Sequence, residues 1–496
     1  MNRRAFLATS AAVITASRTH AAEPSVRAFK GIRYGADTSG ARRFMPPQKV
    51  PVQKDFSTAT AYGPEAPQPH PHTEIPEVRA TITDHTVGED CLRLNIWTPS
   101  TTGKHPVMVW FHGGGFSSGN GGYTIYEGAN MAKRHDVVMV TINHRLNSFG
   151  FTDLSAFGGG TNVGMLDCVL ALEWVRDNIA GFGGDPQNVT IFGQSGGGAK
   201  VSTLLAMPAA KGLFHRAIIE SGSYLTGVPK ADALKSTEAF MAKLGAKSLA
   251  DLQKLPMDQI IAATSSTQGL RLTPVIDPGS LPVNPFSPTA PAISANVPIL
   301  IGTTETEVTF FPGQGIDPID AATLFTRAKA AVPGATEAQI KDLLDVYRKG
   351  RPKASDIDLA LILESDARFR TVVTTQAELK SAQPAPVYMY YFTWRTPVRD
   401  GKLRSLHCLE IPFATANVDG AQSMTGTGKD RYALEAKVSG AWASFARTGS
   451  PSAKGLPTWP KFDTTTRATM ILDNECKVIN DPNSAERKAV AALRQK

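Results

Sequence analysis

A serine hydroxyl attacks a carbonyl only when a neighbouring base removes its proton. One serine of this chain is framed for that chemistry. Gly193-Gln194-Ser195-Gly196-Gly197 follows the strand-like run Asn188–Phe192, and Ala199–Ala206 after it reads as a helix. A G-x-S-x-G turn between a strand and a helix exposes its serine on a strained elbow, with glycines where the two elements cross. Proteins that use this elbow carry their remaining groups in the order acid, then histidine. Only one histidine lies downstream of position 215, His407 in Ser405-Leu406-His407-Cys408-Leu409-Glu410-Ile411-Pro412-Phe413. If Ser195 is a nucleophile, His407 is its base by elimination.

A second segment supplies the complementary chemistry. The apolar run Val107–Phe111 ends in His112-Gly113-Gly114-Gly115-Phe116. Bare glycine amides at a strand end can approach an oxygen that becomes negative during acyl transfer. Gly114 and Gly115 would donate from this loop, and Gly196 from the residue after the serine. His112 reads as a structural residue of the loop, because the motif's chemistry uses glycine N–H groups.

In ordered segments from residue 25 onward the chain resembles the type-B carboxylesterase family, the group that includes cholinesterases and bacterial para-nitrobenzyl-type esterases. The segments are Phe29–Gly35, Arg42-Arg43-Phe44-Met45-Pro46-Pro47, Glu89-Asp90-Cys91-Leu92-Arg93-Leu94-Asn95, Asn143-His144-Arg145-Leu146, Asn178–Pro186, Phe445–Gly449 and Trp459-Pro460. The resemblance implies an α/β-hydrolase fold, a mostly parallel sheet flanked by helices with helical cap insertions. It also implies an acid just after the strand Val297–Gly302. Glu305 and Glu307 both stand there, and Glu307 before Phe310-Phe311 fits the family spacing better. Two further roles follow from the resemblance, Ser221 as a hydrogen-bonding partner near the histidine and Arg43 with Glu89 as a buried ion pair, whereas Cys91 matches a family cysteine that closes a small loop whose partner is missing here. The loop's partner position is Ala66, and Gln194 replaces the glutamate that precedes the serine in cholinesterases. Choline esters should therefore be poor substrates.

The elements that must position these groups are legible as alternation. Strand-like runs at 107–111, 137–142, 188–193, 215–220 and 385–394 interleave with helical runs at 164–179 and 432–447, which argues a parallel sheet wrapped by helices. Residues 229–270 and 318–382 are helical in pattern and read as a cap, within one hydrolase unit spanning 23–496. Phe116, Phe310 and Phe311 would line the substrate pocket.

With 496 residues, 42% of them hydrophobic and 19% charged, the chain can bury a large core. Residues 1–22 read as an export signal: basic Arg3-Arg4, an apolar stretch Ala5–Ala16 and small residues at Ala21-Ala22. The arginine pair before x-Phe-Leu resembles the twin-arginine class. Removing the signal's three arginines lowers the net charge from +8 to +5. No run of five like charges or basic-aromatic interleaving supports nucleic-acid binding. Outside the N-terminus no apolar run reaches the roughly 18 residues of a membrane span. Four cysteines at long spacings leave disulfide pairing open, and Cys408 reads as a small apolar residue. No C-x-x-C or H-E-x-x-H pattern suggests a metal, and no cofactor is implied. The oligomeric state is not legible. The expected function is exported hydrolysis of a small-molecule carboxylic ester through an acyl-enzyme. A thioesterase or lactonase on the same groups is the nearest alternative, and a silent binding protein the more distant one.

Overall fold

Long apolar runs with no polar alternation belong to strands covered on both faces, and the chain folds accordingly. A computed structural model describes residues 26–51, 53, 55–69, 75–311 and 313–494; the export signal read over 1–22 lies outside them. Ten strands form one sheet: β1 (Arg27–Arg33), β2 (Arg93–Thr98), β3 (His105–Phe111), β4 (Val138–Ile142), β5 (Gly184–Gln194), β6 (Arg216–Glu220), β7 (Ile299–Thr304), β8 (Val387–Phe392), β9 (Ala468–Leu472) and β10 (Lys477–Asn480). Their spatial order is β1-β2-β4-β3-β5-β6-β7-β8-β9-β10. The seven strands from β4 to β9 run parallel, and the pairs at both edges are antiparallel.

Period-two alternation divides each strand between two cores. Val107, Val109 and Phe111 pack with the helices Val163–Asn178, Gly196–Leu204 and Thr371–Ser381. Met108 and Trp110 face the opposite layer, where Leu434, Val438 and Trp442 of the helix Asp430–Thr448 join them. Pairing of Phe111 with Gly193 and of Gln194 with Glu220 aligns the C-terminal ends of β3, β5 and β6. That edge is where parallel sheets of this kind carry their chemistry.

The two segments read as a cap are helical. Lys230–Lys243, Leu249–Lys254 and Met257–Ser266 enclose a cluster built on Phe240, Leu252 and Ile260. Ala321–Ala331, Glu337–Gly350 and Asp356–Ser365 enclose another built on Leu324, Tyr347 and Leu359. The last helix of the second segment, Thr371–Ser381, differs: Val373 and Ala377 pack on the sheet, so the sheet layer resumes before residue 382. A wider π-type turn, Asp366–Arg370, joins the two parts. All four cysteines are free, so Cys91 closes no loop.

Candidate active site

Backbone strain marks the centre of the edge. Ser195 has φ +57° and ψ −124°, a conformation that L-residues adopt only when the surroundings impose it. Its N–H donates to the Glu220 carbonyl (2.8 Å), and the helix Gly196–Leu204 starts at the next residue. The crossing is tight enough to demand glycine. A Cβ on Gly197 would lie 1.9 Å from the Phe111 carbonyl oxygen, and one on Gly196 would lie 2.4 Å from Gly115 Cα. The first N–H groups of a helix have no intrahelical acceptor, so Gly196 N–H is free to donate at the elbow.

Gly114 and Gly115 adopt φ +86° and +62°. Their turn uses the Gly114 carbonyl, which accepts from Ser117 (3.2 Å) and Ser118 (3.0 Å). Among the described residues no backbone carbonyl accepts from Gly114 or Gly115 N–H. His112 is buried, its Nδ1 2.9 Å from the Gly113 carbonyl and its ring against His144, in keeping with a structural role.

Two loops bring acid and histidine together. Thr306 N–H donates to the Ser405 carbonyl (3.1 Å), and Ser405 N–H donates to Thr306 Oγ1 (3.0 Å), splicing the loop after β7 to the loop after β8. His407 Nδ1 then meets Glu307 Oε2 in a short hydrogen bond, both side chains being fully buried. A carboxylate only accepts, so Nδ1 carries the proton and Nε2 is the nitrogen able to take another. The other Glu307 oxygen accepts from Ser221 Oγ (2.6 Å) and Thr304 N–H (2.8 Å). Glu305 points elsewhere, pairing with Arg351 (2.7 Å) and Arg395 (3.1 Å). Ser221 contacts the acid, and Glu410 Oε1 at 3.2 Å, where the family resemblance suggested the histidine.

Ser195, His407, Gln194 and Gly113–Gly115 line one cavity of about 320 Å³. Larger clefts of about 870 and 890 Å³ lie on the molecule, but neither contains Ser195 or His407. No hydrogen bond joins Ser195 Oγ to His407 among the described residues; such contacts commonly tighten only around substrate. Gln194 is held by the Cys408 thiol, which donates to its Oε1 (3.2 Å), and its Nε2 lies 3.2 Å from both ring nitrogens of His407. Burial pushes the Cys408 thiol's pKa up, so it stays a neutral donor and not a purely apolar filler.

Aromatic rings wall the imidazole. Phe310, Phe311 and Phe369 lie 5.4, 5.6 and 5.1 Å from it. Phe310 and Phe311 are both half-buried and both face the cavity. Phe116 does not line the cavity. It is buried against Phe151 (4.9 Å) and Tyr224 (5.7 Å), because the chain turns it under the glycine loop.

Three features escaped sequence reading. Phe369 reaches the histidine from the π-type turn, a departure from helical period that no pattern announces. Glu410 is buried, and its pKa is pushed well above the carboxylate range by burial and by Glu307 and Glu220 beside it. Its signal was an acid three residues after His407 in an apolar run. The third is Lys200, fully buried beneath the glycine loop.

A mostly parallel sheet with a serine elbow, a facing glycine loop and an acid–histidine pair at its strand ends defines the α/β-hydrolase fold. The carboxylesterase family matches residues 7–490, and the chain belongs to that family and is a carboxylic-ester hydrolase. The para-nitrobenzyl esterase of Bacillus subtilis (strain 168) is 36% identical over 491 residues, covering 94% of this chain and 95% of that protein. The phenmedipham hydrolase of Pseudarthrobacter oxydans is 32% identical over 479 residues, covering 91% and 92%. Among solved structures, a PNB esterase superposes with a TM-score of 0.80 at 34% identity, covering 94% of this chain and 96% of that one. A Geobacillus stearothermophilus carboxylesterase gives 0.80 at 35%, with the same coverage.

Proposed function

We propose that the chain hydrolyses carboxylic esters through an acyl-enzyme on Ser195, with His407 as base and Glu307 as its orienting acid. The observation that carries this is the Glu307–His407 pair sharing a cavity with a serine in a strained elbow. His407 Nε2 takes the Ser195 proton as Oγ bonds to the ester carbonyl carbon. The carbonyl oxygen becomes an oxyanion held by the N–H groups of Gly114, Gly115 and Gly196. The ester C–O bond then breaks, and the imidazolium returns the proton to the leaving alcohol. Water repeats the sequence on the acyl-enzyme, releasing the acid and restoring the serine. Glu307 stays ionised throughout and stabilises the imidazolium.

The apolar walls, Phe310 and Phe311 among them, suit an uncharged ester with a small to medium acyl group. The relatives' names, para-nitrobenzyl esterase among them, support an oxygen ester over a thioester or lactone. The basic, acid-free leader supports export by the twin-arginine route to a periplasmic or extracellular location. The test of the mechanism is a pre-steady-state burst of nitrophenol from para-nitrophenyl butyrate. Wild-type protein should show a burst approaching one equivalent, and Ser195→Ala should show none. A panel of short-chain esters left untouched by wild-type protein would overturn the reading.

A further inference from the structure

Consecutive glycines have the widest conformational freedom of any backbone, yet oxyanion donors stabilise a transition state only if they are held in place beforehand. Something must hold Gly113–Gly115 still. Local bonds hold the two inner carbonyls: Gly114 accepts from Ser117 and Ser118 N–H, and His112 Nδ1 lies 2.9 Å from the Gly113 carbonyl. The carbonyls of His112 and Gly115 on either side accept instead from Lys200 Nζ, at 3.1 and 2.8 Å.

Lys200 is an unexpected residue for that place. It is the fifth residue of the helix that starts at Gly196, and it is fully buried. Among the described residues no carboxylate pairs with it. Cys168 on the helix Val163–Asn178 and His144 after β4 are titratable groups that face it. The Phe116 ring lies 5.4 Å from Nζ. An ammonium near the positive end of a helix, in apolar surroundings without a counter-charge, costs stability on both counts. Burial accordingly lowers its pKa to about 7. A lysine that opposes local preference at a reaction centre is the kind of conflict that function retains.

We infer that Lys200 is the positioning residue of the oxyanion hole: its Nζ clamps the His112 and Gly115 carbonyls and fixes the loop between them. The placement has a second consequence. Gly196 and Lys200 belong to one helix, so the elbow donor and the glycine-loop donors are referenced to the same rigid element. Lys200 touches no substrate; it acts through the loop. Phe116, turned inward beneath the loop, closes the space around the ammonium and explains why that ring is absent from the cavity wall.

This inference rests on the acyl-enzyme reading above, and its test separates the two. Acylation by para-nitrophenyl butyrate is followed by stopped flow in full-length wild type, Lys200→Met and Lys200→Gln. Inhibition by an alkyl trifluoromethyl ketone, which forms an oxyanion on the serine, is compared with that by the matching methyl ketone. Methionine keeps an unbranched stem one atom shorter and removes both hydrogen bonds; glutamine can restore one. Lys200→Met should lower the acylation rate and the trifluoromethyl ketone affinity together, on the order of 10- to 100-fold, as loss of oxyanion donors does. The KM and the methyl ketone affinity should stay within about threefold, since uniform binding is untouched. Lys200→Gln should recover part of both losses. Wild-type protein without a burst, or a burst persisting in Ser195→Ala, would sink the parent mechanism. A normal wild-type burst with Lys200→Met unchanged in rate and analogue affinity would overturn only the clamp. Equal losses in KM and acylation, or failure of both Lys200 variants to fold, would make Lys200 a residue of the core and equally overturn it.

Discussion

Glu305 and Glu307 differ by two positions, and their surroundings give them different work. Glu307 is oriented by Ser221, Thr304 and His407, whereas Glu305 bridges Arg351 and Arg395. Glu307→Gln should therefore lower kcat by about 10³–10⁴, the scale seen when a triad acid loses its charge and leaves the histidine in the wrong tautomer. Glu305→Gln should leave kcat within a few fold and lower the melting temperature. A Glu305→Gln enzyme that is folded but inactive would reverse the assignment. Ser221→Ala removes one donor from the Glu307 carboxylate, and a hydrogen bond to a charged group contributes about 1.5–3 kcal/mol. Turnover should drop modestly while phosphonate labelling of Ser195 persists; abolished labelling would show that the nucleophile lies elsewhere. Gln194 presents an amide beside His407 where a carboxylate would attract cations. Butyrylthiocholine should accordingly turn over more slowly than an uncharged butyrate ester, and the opposite order would refute the assignment of Gln194.

At the scale of elements, Arg43 ties the N-terminal region to the first helical insertion. Its guanidinium grips both oxygens of Glu89 and also donates to the Leu252 and Leu255 carbonyls, at 3.1 and 2.7 Å. Removing one partner of a buried pair leaves a stranded charge, so Arg43→Ala should cost about 3–5 kcal/mol. An unchanged thermal melt would refute this. The strands that hold the site were legible because Val107–Phe111 is apolar at every position and 137–142 at all but Thr141, a pattern that fits strands covered on both faces. The elbow helix was legible to within a turn: it was read from Ala199 and begins at Gly196. Propensity argues against three glycines in a helix, and the close approach to β3 overrides it. Ser195, His407 and the glycine loop could be read because motif and chain order fix residue types. Lys200 and Phe369 could not. Binary patterning assigns lysine to solvent, and the turn that aims Phe369 at the histidine exists only in three dimensions.

Viewed as a whole, the molecule buries three neighbouring carboxyl groups at the strand ends that carry the site: Glu307, Glu410 and Glu220. Glu220, the last residue of β6, accepts from Trp442 Nε1 at 2.8 Å, while its second oxygen has no hydrogen-bond partner among the described residues. Burial pushes its pKa up to about 7, against a weaker lowering by the Trp442 bond. A carboxyl raised in the folded state binds its proton more tightly there than in the unfolded chain, whose glutamates titrate near 4.3. The folded state thus holds the extra proton between those values, and stability falls as pH rises through that window and levels off above about 7. Glu220→Gln removes the titration and keeps an oxygen for Trp442. At 1.36 kcal/mol per unit, the variant should gain a few kcal/mol over wild type at pH 8.5 and almost nothing at pH 4.5. Part of the gain reaches Glu410, whose raised pKa depends in turn on Glu220. Denaturant unfolding of both proteins at the two pH values measures the difference directly. A gap of equal size at both would show that Glu220 enters the folded state with its charge already compensated.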